Sequence, residues 1–390
     1  MIRSASLTIV AALLTANATR GAEPPGNPPR SAAQPAGKVM PLVLPENASA
    51  QVRPVEDRIY SAAMRQARYL LGKVHPWEED PRLKLLTDSR SAEHWIRPNT
   101  GAIEGFAFLH RFGPYDEKVV GVSRNELLAG TILPMMRYVV ATHATGTRKT
   151  SDGKPWGNAW QSAYWAQMLG RSAWLLWDDL PEDLREGVRR VVAHEAERFV
   201  GATPPHRVRG DTKAEENAWN SEIFSAAMLI MPDDLRRPAW EKACQKWVMS
   251  SFLRPADEKC NTIVDGRPVA EQFTGANVYD DFTLENHGFV HPDYMQCFGL
   301  SLGSALDYRL SGRRPPEALL YNVPGIYENL KWFVLPDGGF VYPNGQDWTL
   351  FRNPCWLRSH LLMAVFAGDP DAWTLALRSL AALEKMQARS

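Results

Sequence analysis

The segment 285–294, ENHGFVHPDY, concentrates side chains that can transfer protons. His287 and His291 lie four residues apart in a chain with only nine histidines, and Tyr294 follows them. A helical zinc motif needs a glutamate between its histidines, whereas here a glycine and Pro292 disfavour a continuous helix. A single histidine usually has a structural role, but two of them beside a phenol favour acid–base chemistry. We therefore expect no metal ion or other cofactor; a metal site completed by a neighbouring carboxylate is the weaker alternative.

A helix predicted near residues 213–231 carries a second group of polar side chains. Asn217, Asn220 and Ser221 point away from an apolar stripe that recurs at helical spacing. An ordinary solvated face would carry mainly lysine and glutamate, and this one carries amides and a hydroxyl. Amides suit a cleft that hydrogen-bonds a ligand without imposing charge, so we favour a cleft over a solvated surface.

These groups match the requirements of β-elimination at a uronic acid. The proton on C5 of the sugar becomes removable only when the adjacent carboxylate is neutralised, and an asparagine amide can stabilise the anion that forms. A histidine or tyrosine then removes the proton, and a tyrosine protonates the departing glycosidic oxygen. The candidates are Asn217 or Asn220 for the amide, His287 or His291 for the base, and Tyr294 for the acid.

Two segments resemble a known enzyme family. The stretch 217–223, NAWNSEI, resembles the N-x-W-x-x-E-I segment of chondroitin AC and hyaluronate lyases. The stretch 281–287, DFTLENH, followed by Tyr294 and by Phe-Gly at 298–299, resembles the family's D-x-S-F-x-x-H segment with its downstream Y-x-x-x-Y-G. The likeness covers roughly residues 213–310, and its motifs are short.

The resemblance implies a fold and a set of roles. These lyases have an (α/α) toroid followed by β-sheet domains, a plan that heparinase II/III-like lyases share together with the use of Asn, His and Tyr. The leading Asn of the first motif, here Asn217, neutralises the substrate carboxylate. No β-sheet domain follows the helical region of this sequence, so we expect either a fragment or a toroid-only form.

The chain also departs from the family pattern. Phe298 occupies the position of the family's catalytic tyrosine, so either Tyr294, one turn earlier, replaces it or the family's acid step is absent. The spacing from histidine to aromatic residue is two residues longer, which makes His291 an alternative base to His287. At 344–348, NGQDW, a glutamine stands where the family has the glutamate of an N-G-E-N-like loop.

Further residues are expected to bind the substrate. Arg97 lies in an apparent loop before a helix and offers a fork for a carboxylate, although a capped helix start is an equal alternative. Trp160 could stack on a sugar ring, although most tryptophans belong to the core. The full predicted set is Asn220, Glu222, Arg97, Trp160, Asn286, Asn344, Gln346 and Trp348.

The chain divides into three parts. Residues 1–22 read as a secretory signal peptide, with a positive start and a short apolar run. Residues 23–54 are rich in Pro and Ala and read as a disordered linker. Residues 55–390 form the predicted catalytic domain. No later apolar run reaches transmembrane length, so we expect a secreted or periplasmic monomer whose four cysteines either pair or stay reduced.

Helical patterns fill the third part, and alternating strand patterns are nearly absent. The sequence therefore predicts an all-α fold, an (α/α) toroid built as an incomplete ring of helical hairpins. The predicted helices lie near 55–72, 101–112, 123–144, 158–178, 182–200, 213–231, 235–252, 292–311, 316–334, 355–367 and 370–388.

The combined prediction is a polysaccharide lyase that cleaves a uronic-acid-containing glycan. Lys+Arg and Asp+Glu both number 44, which argues against a broad nucleic-acid footprint but not against an acidic polysaccharide in a locally basic cleft. Two alternatives remain. One is a toroid glycoside hydrolase of the unsaturated uronyl hydrolase kind, for which carboxylates are available, and the other is a non-catalytic glycan-binding protein. The candidate carboxylates are Asp211, Asp280, Asp281 and Glu285.

Overall fold

The computed structural model of the chain describes residues 46–344 and 356–389, with residues 46–53 described by their backbone only. The predicted signal peptide, most of the predicted linker, Gln346, Trp348 and Cys355 lie outside the described residues. Among those described, Cys244 and Cys260 form no disulfide.

Helices account for most of the described chain, in agreement with the all-α prediction. The 3₁₀ segments are Trp177–Asp179, Pro255–Lys259 and Glu317–Leu320, and π-helical turns occupy Leu128–Ile132 and Met363–Ala367. The α-helices are α1 Glu46–Leu71, α2 Glu93–Arg111, α3 Glu117–Val120, α4 Arg124–Leu127, α5 Leu133–Thr142, α6 Ser162–Leu175, α7 Glu182–Val200, α8 Ala214–Ile230, α9 Arg237–Ser251, α10 Val269–Gln272, α11 Pro292–Met295, α12 Phe298–Leu310, α13 Val323–Lys331, α14 Trp356–Leu362 and α15 Ala372–Gln387.

Strands are few and short in the described part of the chain. They form three separate antiparallel pairs, none of which is a sheet domain. The pairs are β1 His75–Trp77 with β2 Asp80–Leu85, β3 Ile263–Val264 with β4 Arg267–Pro268, and β5 Glu285–Asn286 with β6 Phe289–Val290.

The long helices pack as a ring. Helix α1 packs on α2, and the contacts continue in order through α6, α8, α12, α14 and α15, which packs back on α1. Helices α5, α7 and α9 lie outside this ring: α5 packs on α2, α7 on α6 and α8, and α9 on α8. The prediction of an (α/α) toroid is therefore confirmed at the level of the fold.

The inner helices α2, α6, α8 and α12 run in the same direction, so their N-termini meet at one end of the ring. In each contact between neighbouring inner helices, residues near one N-terminus meet residues near the other, and later residues meet later residues. The contacts are Arg97–Gln161 and Glu104–Arg171 between α2 and α6, Tyr164–Trp219 and Arg171–Glu222 between α6 and α8, and Ser225–Asp307 between α8 and α12. The segments that precede α8 and α12 are also bonded to each other, through Gly210 and Glu285.

Two predicted boundaries differ from the structure. Helix α2 begins at Glu93 rather than near 101 and continues through Pro98, so Arg97 lies in a helix and not in a loop. Asn99, inside this helix, donates to the Trp95 carbonyl and accepts from the Leu86 N–H, which ties the helix to the residue that follows β2. Helix α1 begins at Glu46, before the predicted domain start at 55. None of the helices described is long and apolar enough to span a membrane.

Candidate active site

A two-residue hairpin presents the first histidine of the predicted acid–base segment. His287 and Gly288, between β5 and β6, have φ angles of 53° and 84°. Two consecutive positive φ values are typical of a type I′ turn, in which glycine is favoured at the second position, and histidine is one of the non-glycine residues that tolerate a positive φ at the first. The side chain of His287 is exposed at the tip of this hairpin.

The three proton-transfer candidates of this segment lie together. The hydroxyl of Tyr294, at the start of α11, is 3.4 Å from Nε2 of His287. The ring centroids of His291 and Tyr294 are 4.6 Å apart, and those of His287 and His291 are 5.2 Å apart. His291 itself is fully buried between the rings of Phe289 and Tyr342. His287 and Tyr294 can therefore face a ligand, whereas His291 supports them from below.

The hairpin is bonded to the loop that leads into α8. The backbone N–H of Gly210 donates to the Glu285 carboxylate at 2.7 Å, and the N–H of Gly288 donates to the Gly210 carbonyl. The predicted substrate-binding residue Asn286 instead donates to the Asp211 carboxylate at 3.2 Å and is buried. These bonds fix His287 relative to the start of α8.

The side chain of Asn277 clamps the same loop, and the sequence analysis missed it. Its Oδ1 accepts from the backbone N–H groups of Arg207 and Lys213, and its Nδ2 donates to the Ser250 carbonyl at 2.8 Å. It is fully buried. Its hydrogen-bond partners lie far away in the sequence. The only sequence signal for this role was an asparagine in a polar loop.

Asn217 lies in the first turns of α8 and is fully buried. Its Nδ2 donates to the Pro205 carbonyl at 2.9 Å, and its Oδ1 has no partner among the described residues. One amide hydrogen therefore stays available. Asn220 is also buried, with an unpartnered Oδ1. The amide face of α8 is thus not the solvated surface that the sequence allowed as an alternative.

An aromatic and basic wall stands beside this end of α8. Trp160 is 55% exposed, and its ring meets the buried Trp219 edge-on at a centroid distance of 4.9 Å. Arg97 donates to the Gln161 side chain at 2.9 Å and pairs with Glu93 at 2.7 Å. The helix that carries Arg97 and the segment that carries Trp160 therefore meet at the N-terminal end of the ring.

The remaining predicted binding residues lie elsewhere. Glu222 is fully buried in the ring interior, with its Oε2 3.5 Å from Nη2 of Arg171. It therefore lies in the core and not on an open cleft surface. Asn344 is exposed in a turn at the edge of the described residues. Gln346 and Trp348 fall outside them.

A separate cluster has the donor set of a metal site. Within the described residues, the metal-ligand candidates that come together are His143, His194 and Glu195, where α7 meets the segment after α5 and the start of α6. Both oxygens of Glu195 are already engaged, by His143, by Ser162 at 2.6 Å and by Arg198. Burial alone would raise the pKa of the Glu195 carboxyl, but these bonds lower it to about 2.

The tautomer of His143 indicates a structural role for this cluster. The backbone N–H of Thr145 donates to Nδ1 of His143, so Nε2 carries the proton and donates to Glu195. A metal ion at Nε2 would need the proton on Nδ1, where this N–H already points. The cluster therefore ties the 143–145 segment to α7.

Comparison with known proteins finds likeness to solved structures. No protein-family model matches the chain, and no curated protein matches it. A solved structure of a chondroitin AC lyase point mutant from Streptomyces coelicolor A3 superposes with a TM-score of 0.49 at 11% identity. The match covers 99% of this chain and 49% of that one, so the chain spans about half the length of that protein.

Proposed function

We propose that the chain is a polysaccharide lyase that cleaves a uronic-acid-containing glycan by β-elimination. The observation that carries this proposal is the 3.4 Å contact between exposed His287 and the Tyr294 hydroxyl, held by the loop that also holds Asn217. An imidazole, a phenol and a neutral amide donor at one end of the ring are the groups that this elimination needs.

Neutralisation of the carboxylate is assigned to Asn217. Its side chain is fully buried against the Pro205 carbonyl, so this role requires a local opening at Pro205 when substrate binds, after which the second amide hydrogen can donate to a uronate oxygen. The N-termini of α2, α6, α8 and α12 point to the same end of the ring, and their partial positive charge favours a bound anion there. Both effects stabilise the extra negative charge that develops when C5 loses its proton.

The proton transfers are assigned to His287 and Tyr294. Nε2 of His287 takes the C5 proton, the C5–H electron pair forms the C4–C5 double bond, and the C4–O bond breaks with its electrons on the glycosidic oxygen. The Tyr294 hydroxyl protonates that oxygen. The contact between the two side chains then lets His287 return the proton to the phenolate, which resets both groups. His291 is too deeply buried to reach a polymer and acts as a support.

Substrate binding follows from the surroundings of these groups. The exposed face of Trp160 offers a stacking surface for a sugar ring, and Arg97 offers charge to a second carboxylate. The proposed substrate is therefore an acidic polysaccharide or oligosaccharide, bound by a monomer. The sequence of residues 1–22 leads us to propose that this monomer is secreted or periplasmic.

The carboxylates support the hydrolase alternative less well. A general acid of a hydrolase needs a carboxyl whose pKa is raised. Burial would raise the pKa of Asp211, but Lys213 and Arg207 lower it below its ordinary value. Glu285, Asp280 and Asp281 accept bonds from backbone N–H groups of nearby loops.

The deciding experiment measures ultraviolet absorbance of unsaturated uronate with a panel of uronate polysaccharides. We expect a new absorbance with at least one glycan, and a loss of about 100- to 1000-fold in turnover for Asn217→Ala, the usual effect of removing one donor to developing charge. Circular dichroism checks that the variant folds. Reducing ends without ultraviolet absorbance would indicate a hydrolase, and glycan binding without any product would indicate a binding protein.

A further inference from the structure

Polar atoms without hydrogen-bond partners gather inside the ring. Among the described residues, both amide atoms of Gln167, Oε1 of Glu222, Oγ of Ser304 and Nε of Arg358 are buried without partners. These residues come from four ring helices. A buried polar atom that is left without a partner destabilises the fold by about 1–3 kcal/mol. A group of such atoms in one region therefore needs an explanation.

Three of these residues share one level of the ring. Arg171 of α6 and Ser225 of α8 both bond to Asp307 of α12, which defines an ionic level. Gln167, Glu222 and Ser304 each lie three or four residues earlier on the same three helices, which is one turn closer to the N-terminal end. We call this next level the axial layer.

Arg358 completes the axial layer from a fourth helix. Its guanidinium crosses α12 at Gly303, where any larger side chain would overlap it, and donates to the Leu300 carbonyl. Nη2 of Arg358 is 3.9 Å from Oε2 of Glu222. The layer therefore combines donors and acceptors that ordered water can bridge.

The charges around the layer do not balance. Arg171 and Arg358 carry two positive charges, whereas Glu104, Glu222 and Asp307 carry three negative charges when all are ionised. Arg171 bonds to both oxygens of Asp307 at 2.9 Å and to Glu104 at 2.9 Å. Glu222 has only the longer contacts, so the excess negative charge falls on its carboxyl.

We propose that Glu222 is a buried proton-binding site that takes up one proton from solvent near neutral pH and thereby holds α8 in its place. The carboxyl gains a hydrogen on Oε1, the layer becomes neutral, and Oε1–H donates to ordered water between Gln167 and Ser304. Burial, ahead of the opposing Arg358 and Arg171 and with help from Glu104 and Asp307, raises the pKa of Glu222 to about 7. Tyr164, the other titratable group facing the layer, has its pKa raised to about 12 by burial and stays neutral.

The consequence for the active site depends on the proposed function. Glu222 and Asn217 belong to one helix, about 7.5 Å apart along its axis at 1.5 Å per residue. Trp219, between them in sequence, packs against the cleft residue Trp160. An ionised Glu222 adds an uncompensated charge behind this wall, so it shifts α8 against its neighbours. Glu222 is thus a positioning residue for Asn217 and does not touch the substrate.

The first test needs no substrate. The melting temperature of the full chain is measured from pH 5 to pH 9 for the wild type and Glu222→Gln. A raised pKa means that the folded state binds more protons at Glu222 than the unfolded state between about pH 4.5 and 7, so the contribution of Glu222 to stability falls across that range. Buried His360, whose pKa is lowered by burial to about 3, and His143, whose pKa burial also lowers, contribute the opposite slope in the same range, so the test is the difference between the two chains. The stability of the wild type relative to Glu222→Gln should fall from pH 5 to pH 7, whereas its stability relative to Glu126→Gln, an exposed control on α4, should stay constant. A constant difference between the wild type and Glu222→Gln would overturn the proton site.

An infrared measurement on the wild type protects this test against misfolding of Glu222→Gln. pH-difference infrared spectra of the wild type should show a protonated carboxyl that disappears near pH 7, and Glu222→Asp should keep such a signal. No carboxyl titrating between pH 5 and pH 9 would refute the proposal.

The second test asks whether Glu222 positions Asn217. With a glycan that is cleaved, kcat of the wild type should fall at alkaline pH with little change in KM, and Glu222→Gln should move this limb to higher pH. An unchanged pH profile would overturn the positioning role. A chain that cleaves no glycan would defeat the proposed function while leaving the stability test intact.

Discussion

His287 and His291 carry the same side chain but lie in different environments. His287 stands at an exposed turn with Nε2 near the Tyr294 hydroxyl, and His291 is enclosed by aromatic rings. Proton abstraction from a polymer requires contact with the polymer, and a buried ring cannot provide it. Under the proposed function, the base is therefore assigned to His287, a choice that the sequence left open.

Alanine at each histidine should separate these roles. We expect His287→Ala to lower kcat by about 100-fold or more, the usual contribution of a general base, with an unchanged melting temperature. His291→Ala should lower the melting temperature, since a buried ring is removed and a cavity is left, and should reduce activity in part. Product absorbance and thermal unfolding measure both.

Tyr294→Phe is the matched control for this pair. It keeps the ring and removes only the hydroxyl, so it should resemble His287→Ala in activity and retain the ring packing of the wild type. Full activity of either His287→Ala or Tyr294→Phe would contradict the assignment of the proton transfers.

The loop before α8 connects two elements that are remote in sequence. It bonds to the β5–β6 hairpin through Gly210, to α8 through the Pro205–Asn217 bond, and to Asn277 through Arg207 and Lys213. A loop held at several points by buried bonds is more rigid than its composition suggests. The relative positions of His287 and Asn217 therefore depend on this loop as much as on the helices.

Asn277→Ala should show this dependence. It removes three buried hydrogen bonds, two of them to loop N–H groups, so we expect a stability loss of about 1–3 kcal/mol and reduced turnover, although Asn277 does not face the cleft. Denaturant unfolding and product absorbance are the measurements. Asn329→Ala, which removes a single exposed bond to the Asp281 carbonyl, is the control and should change neither. Equal effects of the two substitutions would refute the clamp.

The bounds of some helices could be predicted from the sequence more closely than those of others. Apolar periodicity placed α7, α8 and α9 close to their observed bounds because each buries a stripe against neighbours. It missed the start of α2, since Pro98 and the polar residues around it have the composition of a loop. The ionic level of the ring could not be predicted, because Arg171 meets partners 67 and 136 residues away, and only the folded ring brings them together.

At the scale of the whole molecule, the two ends of the helical domain hold each other. Helix α1 packs between α2 and α15. Arg58 binds both oxygens of Glu384 at 2.7 and 2.8 Å, and Gln387 donates to the Ala62 carbonyl. Ile59 and Tyr60 are buried in the core. Contacts between the first and last helices make the ring one cooperative unit.

Removing residues from the start of the chain should therefore leave the stability unchanged until the truncation removes α1, and should then lower the stability strongly. A chain that begins at Arg53 should unfold at the wild-type temperature, because it loses the first turns of α1 and the Pro- and Ala-rich sequence before them but keeps the buried core side chains described in α1, which begin at Val55. A chain that begins at Gly72 loses α1 and several buried apolar side chains, each stabilising by roughly 1.5–3 kcal/mol. That sum rivals the about 5–15 kcal/mol by which a typical domain is stable.

Arg58→Ala separates this packing from the ion pair. The pair is half-exposed, so its removal should lower stability by no more than about 1 kcal/mol. Calorimetry of the wild type and the three variants measures the outcome. We expect one sharp transition for the wild type, the Arg53 chain and Arg58→Ala, and a broad transition or none for the Gly72 chain. A Gly72 chain that melts sharply at the wild-type temperature would show that the ring folds without its first helix, and that closure by α1 is dispensable.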